Sequence, residues 1–161
     1  MSRKTQTPTN KAFAMKPPIF SPPPAGSKPQ QYLHLASMFR AAALGLPAYV
    51  NGEQNWPAYA LLLHACELAL KAFCDQSVAN GKPSDRAPNH DLQGWYRLAL
   101  QYGLPADPHV ADGIDILADL HASHYTRYPD NRKTTIPDIS NVANDVVDRL
   151  IAAVSPSIYP R

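Results

Sequence analysis

The amino-acid sequence predicts an all-α protein, an up-and-down bundle of about five helices. Apolar residues recur at helical spacing in five stretches, and no stretch alternates for long with the period of two that is typical of a strand. Glycine is scarce, at 7 of 161 residues, and the connections between the helical stretches are short. Helices with one apolar face bury those faces against each other, so this pattern favours a single bundle.

The N-terminal region is expected to be a disordered tail. Residues 1–28 hold six prolines and five basic residues, but no acidic residue and no hydrophobic period. Such a segment cannot bury enough apolar surface to offset its ordering entropy. We therefore predict a helical domain over residues 29–155, preceded by the tail at 1–28 and followed by a short C-terminal tail at 156–161.

The first two predicted helices have recognisable start and stop signals. Ser27 and Pro29 form a start signal, and Gly45 closes the first helix. A turn-prone NGEQN stretch then leads to Asn55 and Pro57, a cap and an early helical proline that begin the second helix.

The second predicted helix, which ends near Gly81, is apolar over most of its circumference and should lie at the centre of the bundle. Its polar residues His64, Glu67 and Lys71 fall on one narrow stripe, because successive side chains are rotated by about 100°. Asp75 continues the same line. The stripe is either a solvent face with pairs four residues apart, or the lining of a cleft or dimer seam. In the second case Glu67 accepts hydrogen bonds from a ligand, and His64 and Lys71 donate them.

Three further helices complete the predicted bundle. The third ends at Gly103, the fourth runs from about Pro108 to Pro129, and the fifth carries a regular apolar stripe. The candidate N-terminal caps are Asn89 or Asp91 for the third helix and Asp138 or Ser140 for the fifth.

Charge and apolar composition restrict the class of protein. Without the five basic residues of 1–28 the chain has ten basic and thirteen acidic residues, a net charge of −3. Proteins that bind a nucleic-acid duplex normally have a basic face on the folded domain, so only a local basic patch is compatible with this charge. No uninterrupted apolar run reaches the roughly 18 residues of a membrane span, and residues 1–28 lack a secretory signal. We expect a cytoplasmic protein with no membrane segment.

The sequence offers little for metal or covalent catalysis. Cys66 and Cys74 lie about 12 Å apart along one helix, too far for a disulfide, and are expected to be core thiols. His121 and His124 are three residues apart, but two ligands are too few for a metal site. The HExxH, GxSxG and glycine-rich phosphate-binding motifs are absent. We therefore predict no metal and no cofactor.

A second candidate site lies in the sequence HYTRYPD, residues 124–130. Arg127 and Tyr128 are suited to a phosphate and a stacked base, respectively. Equally, Arg127 interacts favourably with the dipole at a helix C-terminus without binding any ligand. The sequence leaves both interpretations open.

Three short motifs, in this order, resemble the HEPN superfamily (higher eukaryotes and prokaryotes nucleotide-binding domains) over roughly residues 30–155. They are H-A-x-E-L-x-L-K beginning at His64, H-D-L beginning at His90, and R-Y-P beginning at Arg127. The resemblance implies a helical bundle that dimerises, with a cleft between or beside the protomers. It also implies either RNA cleavage, as in toxins and defence proteins, or ligand binding, in some members beside a nucleotidyltransferase-like partner.

The RNA-cutting members of that family carry an arginine, four to six residues and then a histidine. Here Arg86 and His90 are separated by only three residues, and no histidine follows Arg127. The leading hypothesis is therefore a non-catalytic dimeric module that binds a nucleotide, RNA or a protein partner in a toxin–antitoxin or defence system. The alternative is a metal-independent endoribonuclease with His90 or His124 as acid and base and Arg127 or Arg86 beside the phosphate. A plain assembly protein is a third interpretation.

Overall fold

The structure is a computed structural model that describes residues 26–85, 88–122 and 136–160. In these residues it contains five helices and one small hairpin, which confirms the predicted all-α bundle. The first four helices are α1 (Lys28–Leu44), α2 (Trp56–Ala79), α3 (Leu92–Tyr102) and α4 (Pro108–Ala122). The last, α5, is continuous over 139–158 and consists of α-helical Ile139–Asn141, π-helical Val142–Asp148 and α-helical Arg149–Ile158. The predicted continuation of the fourth helix beyond Ala122 lies outside the described residues.

Local hydrogen bonds explain where the helices begin. At α1, the Ser27 hydroxyl accepts a hydrogen bond from the Gln30 amide, while the Gln30 side chain accepts one from the Ser27 amide at 2.9 Å. This reciprocal pair is a capping box. At α3, the Asp91 carboxylate accepts a hydrogen bond from the Gly94 amide at 2.9 Å, so Asp91 is the cap. Asp138 caps α5 in the same way.

The start of α2 differs from the expected cap. Asn55 does precede the helix, but its side-chain amide donates a hydrogen bond to the Pro47 carbonyl at 2.8 Å instead of capping. This bond closes the base of a hairpin formed by β1 (Tyr49–Val50) and β2 (Glu53–Gln54). Asn51 and Gly52 both have positive φ in the turn, as a tight two-residue hairpin requires. Strands of two residues carry no periodic signal, so the sequence indicated only a turn.

The central helix of the bundle is α2, which packs against α1, α3 and α5. It is the one helix among the described residues with the length and composition of a membrane span, with a mean hydropathy of 1.2 over its most apolar 18 residues. Of that window, 72% is buried inside the bundle, as is usual for a core helix. Its two free thiols, Cys66 and Cys74, are buried as expected. Burial raises the pKa of each thiol to about 12.

The last helix closes the bundle against both α1 and α4. Arg40 of α1 forms two hydrogen bonds with the Asp148 carboxylate of α5, from Nε at 2.9 Å and from Nη2 at 2.6 Å. Gly113 of α4 lies directly against Val146, in the π-helical part of α5. The helix continues to the buried Ile158, three residues beyond the predicted domain end at 155.

Candidate ligand-binding cleft

A cleft of about 560 Å³ lies over the polar side of α2, between the beginnings of α1 and α3. Its first wall comes from α1 and its second from α3 and the two residues of the connection that precede the Asp91 cap. The residues that line it are Lys28, Tyr32, Lys71, Asp75, Asn89, His90 and Trp95. The cleft therefore combines cationic, acidic and aromatic side chains.

Glu67 lies beside this cleft and is buried, with only 4% of the residue exposed. The same oxygen of its carboxylate accepts from the Lys71 ammonium, one turn later on α2, and from Nδ1 of His90 at 3.2 Å. An ionised carboxylate only accepts hydrogen bonds, so Nδ1 carries the proton of this bond. Burial of a carboxylate is unfavourable unless it is paired, and both partners supply that pairing. The polar stripe of α2 is therefore not a solvent face at this position.

Of the two ring nitrogens of His90, one is hydrogen-bonded and the other is free to contact a ligand. Its side chain is 79% exposed although Nδ1 contacts the buried Glu67 carboxylate, so Nε2 is accessible to a ligand. When Nδ1 carries the proton, the neutral imidazole has Nε2 as an acceptor. The Asp91 cap fixes the start of α3 immediately after His90 and thereby keeps the histidine beside α2.

Trp95 forms the rigid wall of the cleft on the α3 side. Its indole N–H donates to the Asn89 carbonyl at 2.7 Å, which fixes the orientation of the ring. The Lys71 ammonium lies 5.5 Å from the ring centroid, within range of a cation–π interaction. Lys71 is thus positioned by a carboxylate and an aromatic face, yet 22% of its side chain remains exposed.

The opposite wall repeats this arrangement. The Lys28 ammonium lies 2.9 Å from the Asp75 carboxylate and 5.2 Å from the centre of the Tyr32 ring. The hydrogen bond to Asp75 is the main cause that raises the pKa of Lys28. The Lys28 ammonium therefore remains positively charged at neutral pH. On each side of the cleft, one lysine therefore lies between a carboxylate of α2 and an aromatic ring: Lys71 on the α3 side and Lys28 on the α1 side.

His64 lies at the far end of the stripe and does not line the cleft. Its ring meets the Phe39 ring edge to face, at 4.6 Å between centroids. Burial lowers the pKa of His64, the positive charges of Lys71 and His90 lower it further, and Glu67 opposes the change. At neutral pH His64 is accordingly an uncharged ring that contacts Phe39 of α1, although the residue as a whole is exposed.

The sequence-predicted residues are only partly brought together. Glu67, Lys71 and His90 form one cluster, although His90 comes from a different motif than the other two. His64 is a neighbour of this cluster. The candidates Arg86, His124, Arg127 and Tyr128 lie outside the described residues, and their roles stay predictions.

Sequence reasoning missed three residues of the cleft. Lys28 falls in the segment 1–28 that is predicted to be a tail, and Tyr32 and Trp95 fall at apolar positions of the first and third predicted helices. A signal existed for Trp95, which lies one turn after a capping aspartate and beside the H-D-L motif. No local signal places Lys28 or Tyr32 beside α2, because that contact depends on how two helices pack.

No protein-family model, curated protein or solved structure matches this chain. The resemblance to the HEPN superfamily therefore rests on its motif residues alone. In the part of the chain that the structure describes, no group of three or more histidine, cysteine or acidic side chains is arranged to hold a metal ion. The side chains that line the cleft itself supply two ammonium groups, one carboxylate, two aromatic rings and one imidazole, together with Asn89.

Proposed function

We propose that this protein is a HEPN-like helical module whose cleft binds a nucleotide, either free or at the end of an RNA. The observation that carries the proposal is the pairing of two ammonium groups, of Lys28 and Lys71, with the aromatic rings of Tyr32 and Trp95 in one cavity. Ammonium groups bind phosphate oxygens, and aromatic rings stack on bases.

The size and charge of the cleft support this ligand. A volume of about 560 Å³ lies within the roughly 300–1,000 Å³ of small-molecule sites. The two lysines are balanced by Glu67 and Asp75, so a bound phosphate adds negative charge to a nearly neutral site. His90 lies at the opening, where its exposed imidazole can contact the phosphate.

We also propose that the protein works as a homodimer in the cytoplasm, in a toxin–antitoxin or defence system. The outward face of α1 exposes two large apolar side chains one turn apart, Leu35 and Met38, of which Met38 is 54% exposed. A second copy of the chain is one partner that would cover them. A nucleotidyltransferase-like protein is the second partner that the resemblance suggests. Native mass spectrometry of protein isolated without nuclease treatment distinguishes these assemblies.

The binding proposal is tested with AMP as the probe and Trp95 as the reporter. The chain has two tryptophans, so Trp56→Phe leaves Trp95 as the only one, and its fluorescence reports a ligand in the cleft. We expect Lys71→Met to weaken AMP binding about tenfold or more, since it removes one charged hydrogen bond but keeps the apolar stem. Lys82→Met, in the exposed connection after α2, is the matched control. Equal affinity of the two variants contradicts the proposed site.

A second candidate function is metal-independent RNA cleavage, and the Glu67–His90 contact favours it. An exposed imidazole oriented by a buried carboxylate is the arrangement of a general base. His90 would take the proton of a ribose 2′-hydroxyl, whose oxygen attacks the adjacent phosphorus while the 5′-oxygen leaves, and Lys71 would stabilise the phosphate charge.

The cleavage candidate is tested on several RNAs in the presence of a metal chelator. We expect His90→Ala to abolish cleavage, with the exposed His109→Ala as the matched control. Absence of cleavage by the parent protein removes this candidate and leaves the binding proposal intact.

A further inference from the structure

A second cavity of about 450 Å³ lies directly beside the cleft, and we call it the chamber. It extends along α2 toward the end of that helix and is also lined by α3 and by Ser84 and Asp85 of the following loop. Its apolar lining residues are Pro29, Cys74, Val78, Ala79 and Leu98. Cleft and chamber share three residues, Lys28, Asp75 and Trp95, so they form one continuous site with two compartments.

The boundary between the two compartments is an exposed ion pair. Lys28 and Asp75 are 2.9 Å apart, and 65% of the Lys28 side chain is exposed. Exposed ion pairs of this kind contribute little to stability, so a ligand can displace the lysine from its partner at small cost. Trp95, fixed by its hydrogen bond to Asn89, faces both compartments and gives one flat wall that continues through the boundary.

The polar groups that line the chamber are mostly carboxylates and hydroxyls. Apart from Lys28 at the boundary, they are the carboxylates of Asp75 and Asp85 and the hydroxyls of Ser84 and Tyr102. The Tyr102 hydroxyl donates to the Pro83 carbonyl at 2.6 Å and lies 3.4 Å from the Asp85 carboxylate, which fixes the loop against α3. Carboxylates repel phosphate and accept hydrogen bonds, so the chamber suits an uncharged group that donates them.

We propose that the chamber holds the base of a nucleotide whose phosphate lies in the cleft, and that Asp85 selects a base with an exocyclic amino group. The flat apolar walls take the ring, and the Asp85 carboxylate accepts the amino hydrogens. The orientation follows from charge, because Lys71 and His90 line only the cleft and the Asp85 carboxylate lines only the chamber. This inference rests on the proposed nucleotide-binding function and names the class of base.

The experiment measures binding to the full-length chain by calorimetry, with AMP, IMP and inorganic pyrophosphate as probes. AMP and IMP have nearly the same shape, but the 6-amino donor of AMP is a 6-oxo acceptor in IMP. We expect AMP to bind about tenfold more tightly than IMP, since a mispaired carboxylate loses a charged hydrogen bond. Asp85→Asn provides amide donors for the 6-oxo group and should abolish or invert this preference.

A second variant fills the chamber and leaves Lys28 and Lys71 unsubstituted. Ala79 is an exposed residue of the chamber wall, so Ala79→Trp places an indole in the chamber and leaves the core unchanged. We expect it to weaken AMP binding at least tenfold and to leave pyrophosphate binding unchanged. Ala152→Trp, on the exposed side of α5, is the matched control. Circular dichroism and thermal unfolding verify that both variants fold.

Two results would contradict the proposal that the chamber holds the base, while leaving the proposed nucleotide-binding function intact. One is pyrophosphate binding that depends on Lys71 together with AMP binding that Ala79→Trp does not alter. The other is an AMP-to-IMP preference that Asp85→Asn leaves unchanged. If neither AMP nor pyrophosphate binds, the proposed function fails and the chamber proposal fails with it.

Discussion

The two sides of α2 follow opposite rules of packing. On one side, helical geometry aligns five residues that are completely buried, and four of them are alanine: Ala58, Leu62, Ala65, Ala69 and Ala72. On the other side lie Glu67, Lys71 and Asp75, whose long polar side chains are arranged around a cleft. Small apolar side chains let neighbouring helices approach until no space remains. Around the paired charges, α1, α2 and α3 leave a cleft of about 560 Å³.

This contrast separates what stabilises the fold from what forms the site. A buried carboxylate with an ion-pair partner adds little net stability compared with apolar residues of similar volume. The alanine side of α2 would hold the bundle together without any charge on the opposite side. Under the proposed function the charged side serves binding and the apolar side serves stability, and each of the following changes tests that separation.

The largest expected effect belongs to the apolar side. Leu62→Ala removes a fully buried side chain and leaves a cavity, so the free energy of unfolding should fall by about 2–5 kcal/mol. AMP binding by the folded fraction should be unchanged. Urea denaturation measures the stability, with Leu35→Ala on the exposed face of α1 as the control. A loss of less than about 1 kcal/mol would show that this side of α2 is not tightly packed.

Closely packed positions should also be destabilised by added atoms, and Gly113 tests this most directly. A Cβ atom at this position would lie 2.2 Å from a methyl carbon of Val146. We expect Gly113→Ala to lower the free energy of unfolding by about 1–3 kcal/mol, despite the better helix propensity of alanine. Adding Val146→Ala removes the clashing methyl groups, so the double variant should be more stable than the sum of the two single losses predicts. Additive losses would contradict the contact.

The polar side should respond in the opposite way, with lost binding and nearly unchanged stability. The double variant Glu67→Leu, Lys71→Met replaces the ion pair by apolar groups of similar size. We expect its free energy of unfolding to stay within about 1 kcal/mol of the parent, while AMP binding weakens by about tenfold or more. Chemical denaturation and calorimetry on the same sample measure both quantities. A large loss of stability would mean that the stripe serves packing after all.

The smallest expected effect is a pH dependence at His64, where the two sides meet. Its folded-state pKa is lower than the ordinary value near 6.5, so the unfolded chain binds the proton more readily. The stability from this residue is therefore complete above about pH 6.5 and is lost as the pH falls toward the folded-state pKa. We expect His64→Gln to reduce the difference in unfolding free energy between pH 7.5 and pH 5. An identical difference in the parent and the variant would contradict a lowered pKa of His64 in the folded state.

Much of the fold was predictable because its signals are local. The Ser27 and Asp91 caps act within three residues, and Gly103 takes the left-handed conformation that ends α3. The central position of α2 follows from its apolar circumference, and the alignment of Glu67 with Lys71 follows from the helical repeat. The β1–β2 hairpin was not predicted, because its strands are too short for any period.

The sequence by itself therefore determined the helices, their order and the existence of one charged stripe. Only the tertiary structure decided that the stripe lines a cleft. That decision depends on residues far apart in the chain: His90 reaches Glu67 across 23 positions, and Lys28 reaches Asp75 from the start of α1. A polar stripe has the same sequence pattern whether it faces water or another helix. Its environment is set by the packing of α1 and α3 against α2, which no local interaction specifies.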